Sequence, residues 1–203
     1  MIEPPSEVTE TSFESYAAEL GESLGAERVV ARHDTVRIYV DSQDWVQTIQ
    51  SARDNAGLEF FSWLSAIDWS RDVAVGDPVE NPEELEERIE VICRLSSVEN
   101  GDGAHFVSVL DIEKPAIDSL VPVFAGAEWH EREATEMFGI SFTGLPNTDH
   151  LYLPDSFEGN PLRKSYALLA RAVKPWPGDV DVEAMPDASG EQDQNEEQTM
   201  GEV

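Results

Sequence analysis

The sequence predicts an α+β fold: a mostly antiparallel sheet with helices on one face, followed by an extended C-terminal strap and an acidic disordered tail. Five short segments are rich in apolar residues, and most of them alternate with polar ones, as half-buried strands do. Two other segments space their apolar residues three and four apart, as amphipathic helices do. Turn residues of the hairpin type join neighbouring strands, which favours an antiparallel sheet over a parallel one.

The elements follow in the order helix, two strands, helix, three strands, then further helices and an extended segment. Thr11 or Ser12 can cap the first helix, and Ser42 or Asp44 the second. The apolar face of the first helix combines Phe13, Tyr16, Ala17, Leu20 and Leu24. The strands are predicted at Val29–Arg32, Thr35–Val40, within Leu58–Ile67, at Arg88–Ser96 and at His105–Asp111. We further predict turns at 33–34 and 100–103, a loop at 70–84 and a short helix around Asp118–Phe124.

This organisation divides the chain into four parts. Residues 1–10 are predicted to be disordered, and residues 11–126 to form the α+β domain. Residues 127–177 form a motif helix and an extended partner-binding segment. Residues 178–203 contain nine acidic residues, no Lys or Arg, and none of the large aliphatic and aromatic residues that build cores. Such a segment cannot bury enough apolar surface to offset its ordering entropy, so we predict an acidic disordered tail.

Composition narrows the classes of function. The chain has 13 Lys and Arg against 42 Asp and Glu, a formal net charge of −29. A protein so acidic repels nucleic acids, so we expect no nucleic-acid partner. Its one cysteine, Cys93, lies in an apolar alternation and cannot by itself hold an iron–sulfur cluster, so we expect no metal site or redox cofactor in this chain. We also expect neither a secretory signal nor a membrane span.

The segment Glu128–Gly139 predicts a charged helix stopped by a glycine that suits the left-handed C-cap. Arg132 stands four residues from both Glu128 and Glu136, so it can pair with either carboxylate along one face. The start, His130-Glu131-Arg132-Glu133, resembles half of a zinc-protease motif. The second histidine of that motif is missing, because Ala134 stands where it should be. We identify no catalytic residues, no phosphate-binding loop and no nucleophile elbow.

Residues 140–164 combine prolines and glycines with many large apolar residues, so they cannot form a long helix and need to be covered by something. We expect this strap to be buried only when a companion polypeptide lies against it. Arg163 and Lys164 are adjacent basic residues in an acidic background. Trp176, between two prolines, is a rigid aromatic group that suits a partner's pocket.

These residues resemble the C-subunit family of respiratory complex I. The resemblance rests on Glu131-Arg-Glu-Ala-Thr-Glu-Met-Phe-Gly-Ile-Ser-Phe-Thr-Gly144 and on the residues that follow in register: Pro146, Leu151, Pro154, Asp155, Glu158-Gly159, Pro161-Leu-Arg-Lys164 and Tyr166. It implies a non-catalytic core subunit in the peripheral arm of an NADH–quinone oxidoreductase, on the cytoplasmic side of the cell membrane. That complex is a translocase of the respiratory chain, and this subunit would support its electron transfer to quinone.

The resemblance also implies the partners. They would be the quinone-site subunit, which this chain would clamp, and the subunit with the terminal iron–sulfur cluster. Iron–sulfur clusters, quinone and possibly FMN and NADH would be bound by other subunits, and the membrane would be reached only through the complex. The residues predicted to contact partners are Trp129, Glu131, Arg132, Glu133, Phe138, Gly139, Gly144, Pro146, Pro154, Gly159, Pro161, Leu162, Arg163, Lys164 and Trp176.

Three alternatives stay open at this point. One is the equivalent structural subunit of a membrane-bound hydrogenase or a deazaflavin-dependent dehydrogenase complex. Another is a stand-alone metal hydrolase that uses His130, Glu133 and His150. The last is a free acidic binding protein. Co-purifying proteins would distinguish the first, and metal analysis of the purified chain the second. Behaviour as a stable monomer would favour the third.

Overall fold

The computed structural model describes residues 10–32, 35–71, 73 and 81–167. Outside this range lie residues 1–9, the predicted turn residues His33 and Asp34, Trp176 and the acidic tail 178–203. The elements are α1 (Glu10–Ser23), β1 (Arg28–Arg32), β2 (Thr35–Tyr39), α2 (Trp45–Asn55), β3 (Phe60–Asp68), β4 (Ile89–Ser96), β5 (Gly103–Leu110), β6 (Ala116–Asp118), α3 (Ala127–Phe138) and β7 (Ser141–Thr143).

Five strands form one mixed sheet in the order β1-β2-β5-β4-β3. Three of the neighbouring pairs are antiparallel, and only β2 and β5 run parallel. The parallel pair arises because the chain leaves β2 through α2, forms β3 and β4, and returns with β5 between β2 and β4. The predicted α+β class with a mostly antiparallel sheet is therefore confirmed.

One face of the sheet carries the core. The register aligns Ile38 with Phe106 and Phe106 with Cys93, so these buried side chains share a face with Leu64, which aligns with Cys93. Helix α2 adds Trp45, Ile49 and Ala52 to the same cluster, at the spacing that the sequence predicts. Helix α1 adds Ala17 and Leu20, with Phe13, Tyr16 and Leu24 packed beside them.

Two local predictions are wrong. Helix α1 begins at Glu10, so Thr11 and Ser12 lie within it instead of capping it. The short helix predicted around Asp118–Phe124 is instead strand β6 followed by one turn, closed by the amides of Val123 and Phe124 on the carbonyl of Leu120. Strand β6 is held by parallel pairing with β7, a contact between distant segments that overrides the local helical spacing.

Asp44 is the N-cap residue of α2, as predicted, but its side chain forms no capping hydrogen bond. Among the described residues, no helix is long and apolar enough to cross a membrane.

Candidate functional site

The site is built on α3 and the strap that follows it, which we define as residues 140–167. Helix α3 directs Ala127, Glu131, Ala134 and Phe138 into the protein. It ends as predicted: Gly139 adopts the left-handed conformation at φ 72°, and its amide donates to the carbonyl of Thr135. This cap turns the chain sharply, so the strap can return along the helix.

Gly139→Ala is expected to destabilise the protein by about 1–2 kcal/mol. A side chain disfavours the positive φ, and a Cβ at this position would lie 2.7 Å from Oδ1 of Asn160. Chemical denaturation of the variant measures this loss. Gly126→Ala is the control, because Gly126 has an αR conformation and its added Cβ would meet nothing within 4 Å.

Glu131 is fully buried, and its carboxylate bonds within the chain. The hydroxyl of Ser119 donates to Oε2 at 2.6 Å, and the amide of Leu120 donates to Oε1 at 2.6 Å. Burial raises the pKa of Glu131 to about 7, and these two hydrogen bonds offset part of that rise. Glu131 therefore ties α3 to the turn after β6, and its side chain is not on the surface.

Glu136, one turn further along α3, holds the strap. Its carboxylate accepts the amides of Leu151 at 3.0 Å, Tyr152 at 3.0 Å and Leu153 at 2.5 Å. Burial acts to raise the pKa of Glu136. The three amides, with His150 nearby, outweigh it, so the net pKa is lowered. An ionised carboxylate that gathers three consecutive main-chain donors fixes the path of the strap across the helix.

Arg132 fastens the same part of the strap. Its guanidinium donates to the carbonyls of Asp149 and His150, each at 3.1 Å. The predicted pairing of Arg132 with Glu128 or Glu136 is therefore wrong, because the strap supplies its acceptors. A carboxylate and a guanidinium on one face of α3 thus bind neighbouring donors and acceptors of the strap main chain.

The later part of the strap is held at the C-terminal end of α3. The side-chain amide of Asn160 donates to the carbonyl of Glu136 at 2.9 Å, and the amide of Leu162 donates to the carbonyl of Met137 at 3.1 Å. Arg163 donates to the carbonyls of Phe138 at 2.6 Å and Ile112 at 2.9 Å. These donors satisfy carbonyls that the end of a helix leaves without partners.

The strap is also attached to the sheet. The main-chain amide of Lys164 donates to Oδ2 of Asp68 at 2.9 Å, and Oδ1 of Asp68 accepts the amide and the hydroxyl of Ser70. Asp68 is the last residue of β3 and is buried. The ammonium of Lys164 lies 5.8 Å from the ring centroid of Trp69. Asp68 therefore joins the strap to the strand that packs against α3.

The strap is thus already held by its own domain, so the expectation that only a companion would cover it is too simple. Its side chains are covered less well than its main chain: from Thr143 to Ala167 no residue is fully buried. Tyr152 is 63% exposed and Leu162 53% exposed, and Trp129 on α3 is 63% exposed. We call Trp129, Tyr152 and Leu162 the exposed apolar trio. Helical spacing places Trp129 on the face of α3 that carries Arg132 and Glu136.

The other residues predicted to contact partners divide by burial. Phe138 is buried in the core, whereas Glu133, Pro161, Arg163 and Lys164 are half-buried. The exposed ones are Gly144, Pro146, Pro154 and Gly159, and the two glycines have positive φ. No residue of the set has its partner contact tested by these positions, so those assignments stay predictions.

The residues of the alternative metal site are not brought together. Nδ1 of His130 lies 3.2 Å from the carbonyl oxygen of Leu64, whereas His150 is exposed with Nδ1 3.9 Å from Glu136. Within the described ranges there is no group of three or more His, Cys, Asp or Glu residues suited to a metal ion. A cavity of about 250 Å³ between α3 and the strap is lined by Arg132, Glu136, His150, Asn160 and neighbouring residues.

Sequence reasoning missed Asp68, Asn160 and Ser119 as residues that shape the site. Asp68 and Ser119 bond to residues far away in the sequence, and no local pattern marks such contacts. Asn160 carries a weak signal, because an amide side chain between Gly159 and Pro161 suits a turn that needs an extra donor. Its bond to the helix end depends on the left-handed turn at Gly139.

Comparison with known proteins agrees with the motif. A family model described as respiratory-chain NADH dehydrogenase, 30 Kd subunit, matches residues 38–172. The chain is similar to the C subunit of the NADH-quinone oxidoreductase of Nocardioides sp., with 29% identity over 152 residues that cover 74% of this chain and 56% of that protein. The corresponding C subunit of Citrifermentans bemidjiense is 29% identical over 143 residues, which cover 70% of this chain and 81% of that protein.

The chain spans only 56% of the length of the Nocardioides relative and 61% of that of Salinispora arenicola. Among solved structures, a chain of the membrane-bound sulfane sulfur reductase, an archaeal respiratory membrane complex, shares the fold with a TM-score of 0.63. Its identity is 18%, and the match covers 83% of this chain and 96% of that one. Since the family model covers well over half of the 203 residues and includes the whole motif, the protein belongs to the respiratory-chain NADH dehydrogenase 30 Kd subunit family.

Proposed function

We propose that this chain is a non-catalytic structural subunit of a complex-I-type NADH–quinone oxidoreductase, in which it clamps the quinone-site subunit. The supporting observation is that the strap is held to α3 by Glu136, Arg132 and Arg163, while the exposed apolar trio stays uncovered. The polar groups of the motif thus set the shape of the surface, and the trio supplies apolar area for a partner.

The energetics of association favour such a surface. A segment that is already ordered loses less conformational entropy on binding than a free one, so more of its contact energy appears as affinity. Tryptophan and tyrosine are the residue types that most often dominate interface energetics. An exposed Trp129 and an exposed Tyr152 on a fixed strap therefore suit a permanent interface.

In this proposal, electrons travel through neighbouring subunits. Iron–sulfur clusters, quinone and the nucleotide or flavin would be bound by other chains, including the subunit with the terminal cluster. The chain would sit peripherally on the cytoplasmic side of the cell membrane and reach the membrane through the complex. The equivalent subunit of a related assembly remains the second candidate. Mass spectrometry of the native complex separates the two by the electron-input subunits that co-purify.

Trp129→Ala combined with Tyr152→Ala is expected to weaken association with the quinone-site subunit by roughly a hundredfold or more, since truncating an interface anchor costs about 2 kcal/mol. Tagged chain purified from its native membranes reports this as loss of the partner subunits. The strap contacts should persist, because neither side chain takes part in them.

The matched control is Val98→Ala. Val98 is 71% exposed and apolar, but it lies in the turn between β4 and β5, away from α3. Equal recovery of partner subunits with the double variant and with the control would contradict the docking role of the trio. Recovery of a hydrogenase or of another electron-input module would instead support the second candidate.

A further inference from the structure

A second charged surface lies at the opposite edge of the sheet. Strands β1 and β3 are its two edges, and α3 contacts β3. Four strand spacings separate them, which is about 19 Å. On β1, Val29 and Ala31 align with Ile38 and Val36 of the buried core, so Arg28, Val30 and Arg32 point to the other face.

Three guanidinium groups line one groove there. The register pairs Arg28 with Tyr39, Val30 with Arg37 and Arg32 with Thr35, and these six residues line a groove of about 420 Å³. All three arginines are exposed. The groove contains no carboxylate among its lining residues, although acidic residues outnumber basic ones 42 to 13 in the chain. We call this surface the arginine groove.

The arginines are not neutralised within the part of the chain that the structure describes. None of the three forms an ion pair with an Asp or Glu there, whereas Arg53 and Arg88 each do. The guanidinium of Arg28 lies 3.9 Å above the ring centroid of Tyr39, which orients it and leaves its outer N–H groups available. Val30 and Tyr39 supply an apolar floor between the charges.

We infer that the arginine groove binds an extended acidic segment of a partner protein. Arg28 and Arg32 stand four residues apart on one strand, about 13 Å, so a single small anion cannot reach both. An extended peptide with carboxylates on one side can, and each carboxylate can accept two parallel hydrogen bonds from a guanidinium. A nucleic acid also carries spaced anions, but the net charge of −29 repels a long polyanion. A short segment avoids most of that repulsion.

The arginine groove does not depend on the docking role of the exposed apolar trio, and its test needs no complex. The full chain is titrated at low ionic strength with a labelled peptide in which glutamate alternates with serine. Arg28→Gln combined with Arg32→Gln is expected to weaken binding about tenfold, because exposed ion pairs are individually modest. The control, Arg71→Gln combined with Lys114→Gln, removes the same charge from two exposed residues elsewhere and should bind as the wild type does.

Both variants change exposed side chains, and thermal melts confirm that each remains folded. Absence of peptide binding to the wild type, or equal loss in the groove variant and the control, would overturn the inference. A single-stranded DNA oligonucleotide that binds the groove more tightly than the peptide would replace the protein segment with a nucleic acid. Full displacement of the peptide by an equimolar amount of inorganic phosphate would instead identify a small-anion site.

Discussion

Glu136→Ala is expected to release the strap from α3. The variant leaves the amides of Leu151, Tyr152 and Leu153 without the carboxylate that accepts all three. Hydrogen bonds to a charged group contribute roughly 1.5–3 kcal/mol each, and they share one acceptor here, so we expect the strap to open about 3 kcal/mol more easily. Hydrogen exchange measured by mass spectrometry should show these amides exchanging roughly a hundredfold faster.

Glu133→Ala is the matched control for this experiment. Glu133 lies on the same helix, is half-buried and accepts none of the three amides, so its removal should leave strap exchange unchanged. Protection of the three amides that survives in Glu136→Ala would show that other contacts hold the strap. The amides of β4 report on the sheet and should be unaffected, because the opening is local to the strap.

Glu131 gives the protein a distinctive pH dependence of stability. Its pKa is about 7 in the folded protein, against an ordinary value of 4.5. Because burial raises this pKa, the folded state holds the proton more tightly, and the stabilising contribution is fully present below pH 4.5. As the pH rises from 4.5 to 7, that contribution is lost, and it amounts to about 3 kcal/mol.

Glu131→Gln is expected to remove this dependence, because the amide stays neutral at every pH. The free energy of unfolding of the wild type minus that of Glu131→Gln should fall by about 3 kcal/mol across the window, as measured by urea denaturation at several pH values. Glu136 has a lowered pKa and acts in the opposite direction at lower pH, but it is present in both proteins and cancels.

Glu128→Gln provides the comparison for loss of one carboxylate from α3. Glu128 is half-buried in the first turn, and the same subtraction should give no slope of this size. A difference between wild type and Glu131→Gln that stays constant from pH 4.5 to 7 would contradict the raised pKa.

The secondary structure was largely readable from the sequence, because local rules set it. The alternation in Arg88–Ser96, the helical spacing from Trp45 to Ala52 and the glycine that ends α3 each depend on near neighbours in the chain. The error around Asp118–Phe124 has the opposite origin. There a distant strand, Ser141–Thr143, decides the conformation.

The roles of the motif residues could not be read from spacing. Glu131 and Glu136 belong to one charged helix, and both turn out to be buried acceptors that bond to different distant segments. Arg132 has the spacing of helix-surface pairs but donates to main-chain carbonyls of the strap. Spacing shows which face of a helix a residue shares, whereas the segment that crosses that face is set by tertiary structure.

The strap illustrates the same limit. Its prolines, glycines and apolar residues indicated an extended segment that needs cover, and that much holds. Sequence alone could not divide the cover between its own domain and a neighbour. The structure assigns the main chain to α3 and to Asp68, and leaves Tyr152 and Leu162 outside.

Intramolecular bonds fix the strap, and we propose that a second polypeptide covers the exposed apolar trio. Electron cryomicroscopy of the complex purified through this chain tests this most directly. We expect Glu136 still to accept the amides of 151–153 there, and Trp129 and Tyr152 to be buried against another polypeptide. Trp129 and Tyr152 facing solvent in the assembled complex, or a strap detached from α3, would contradict it.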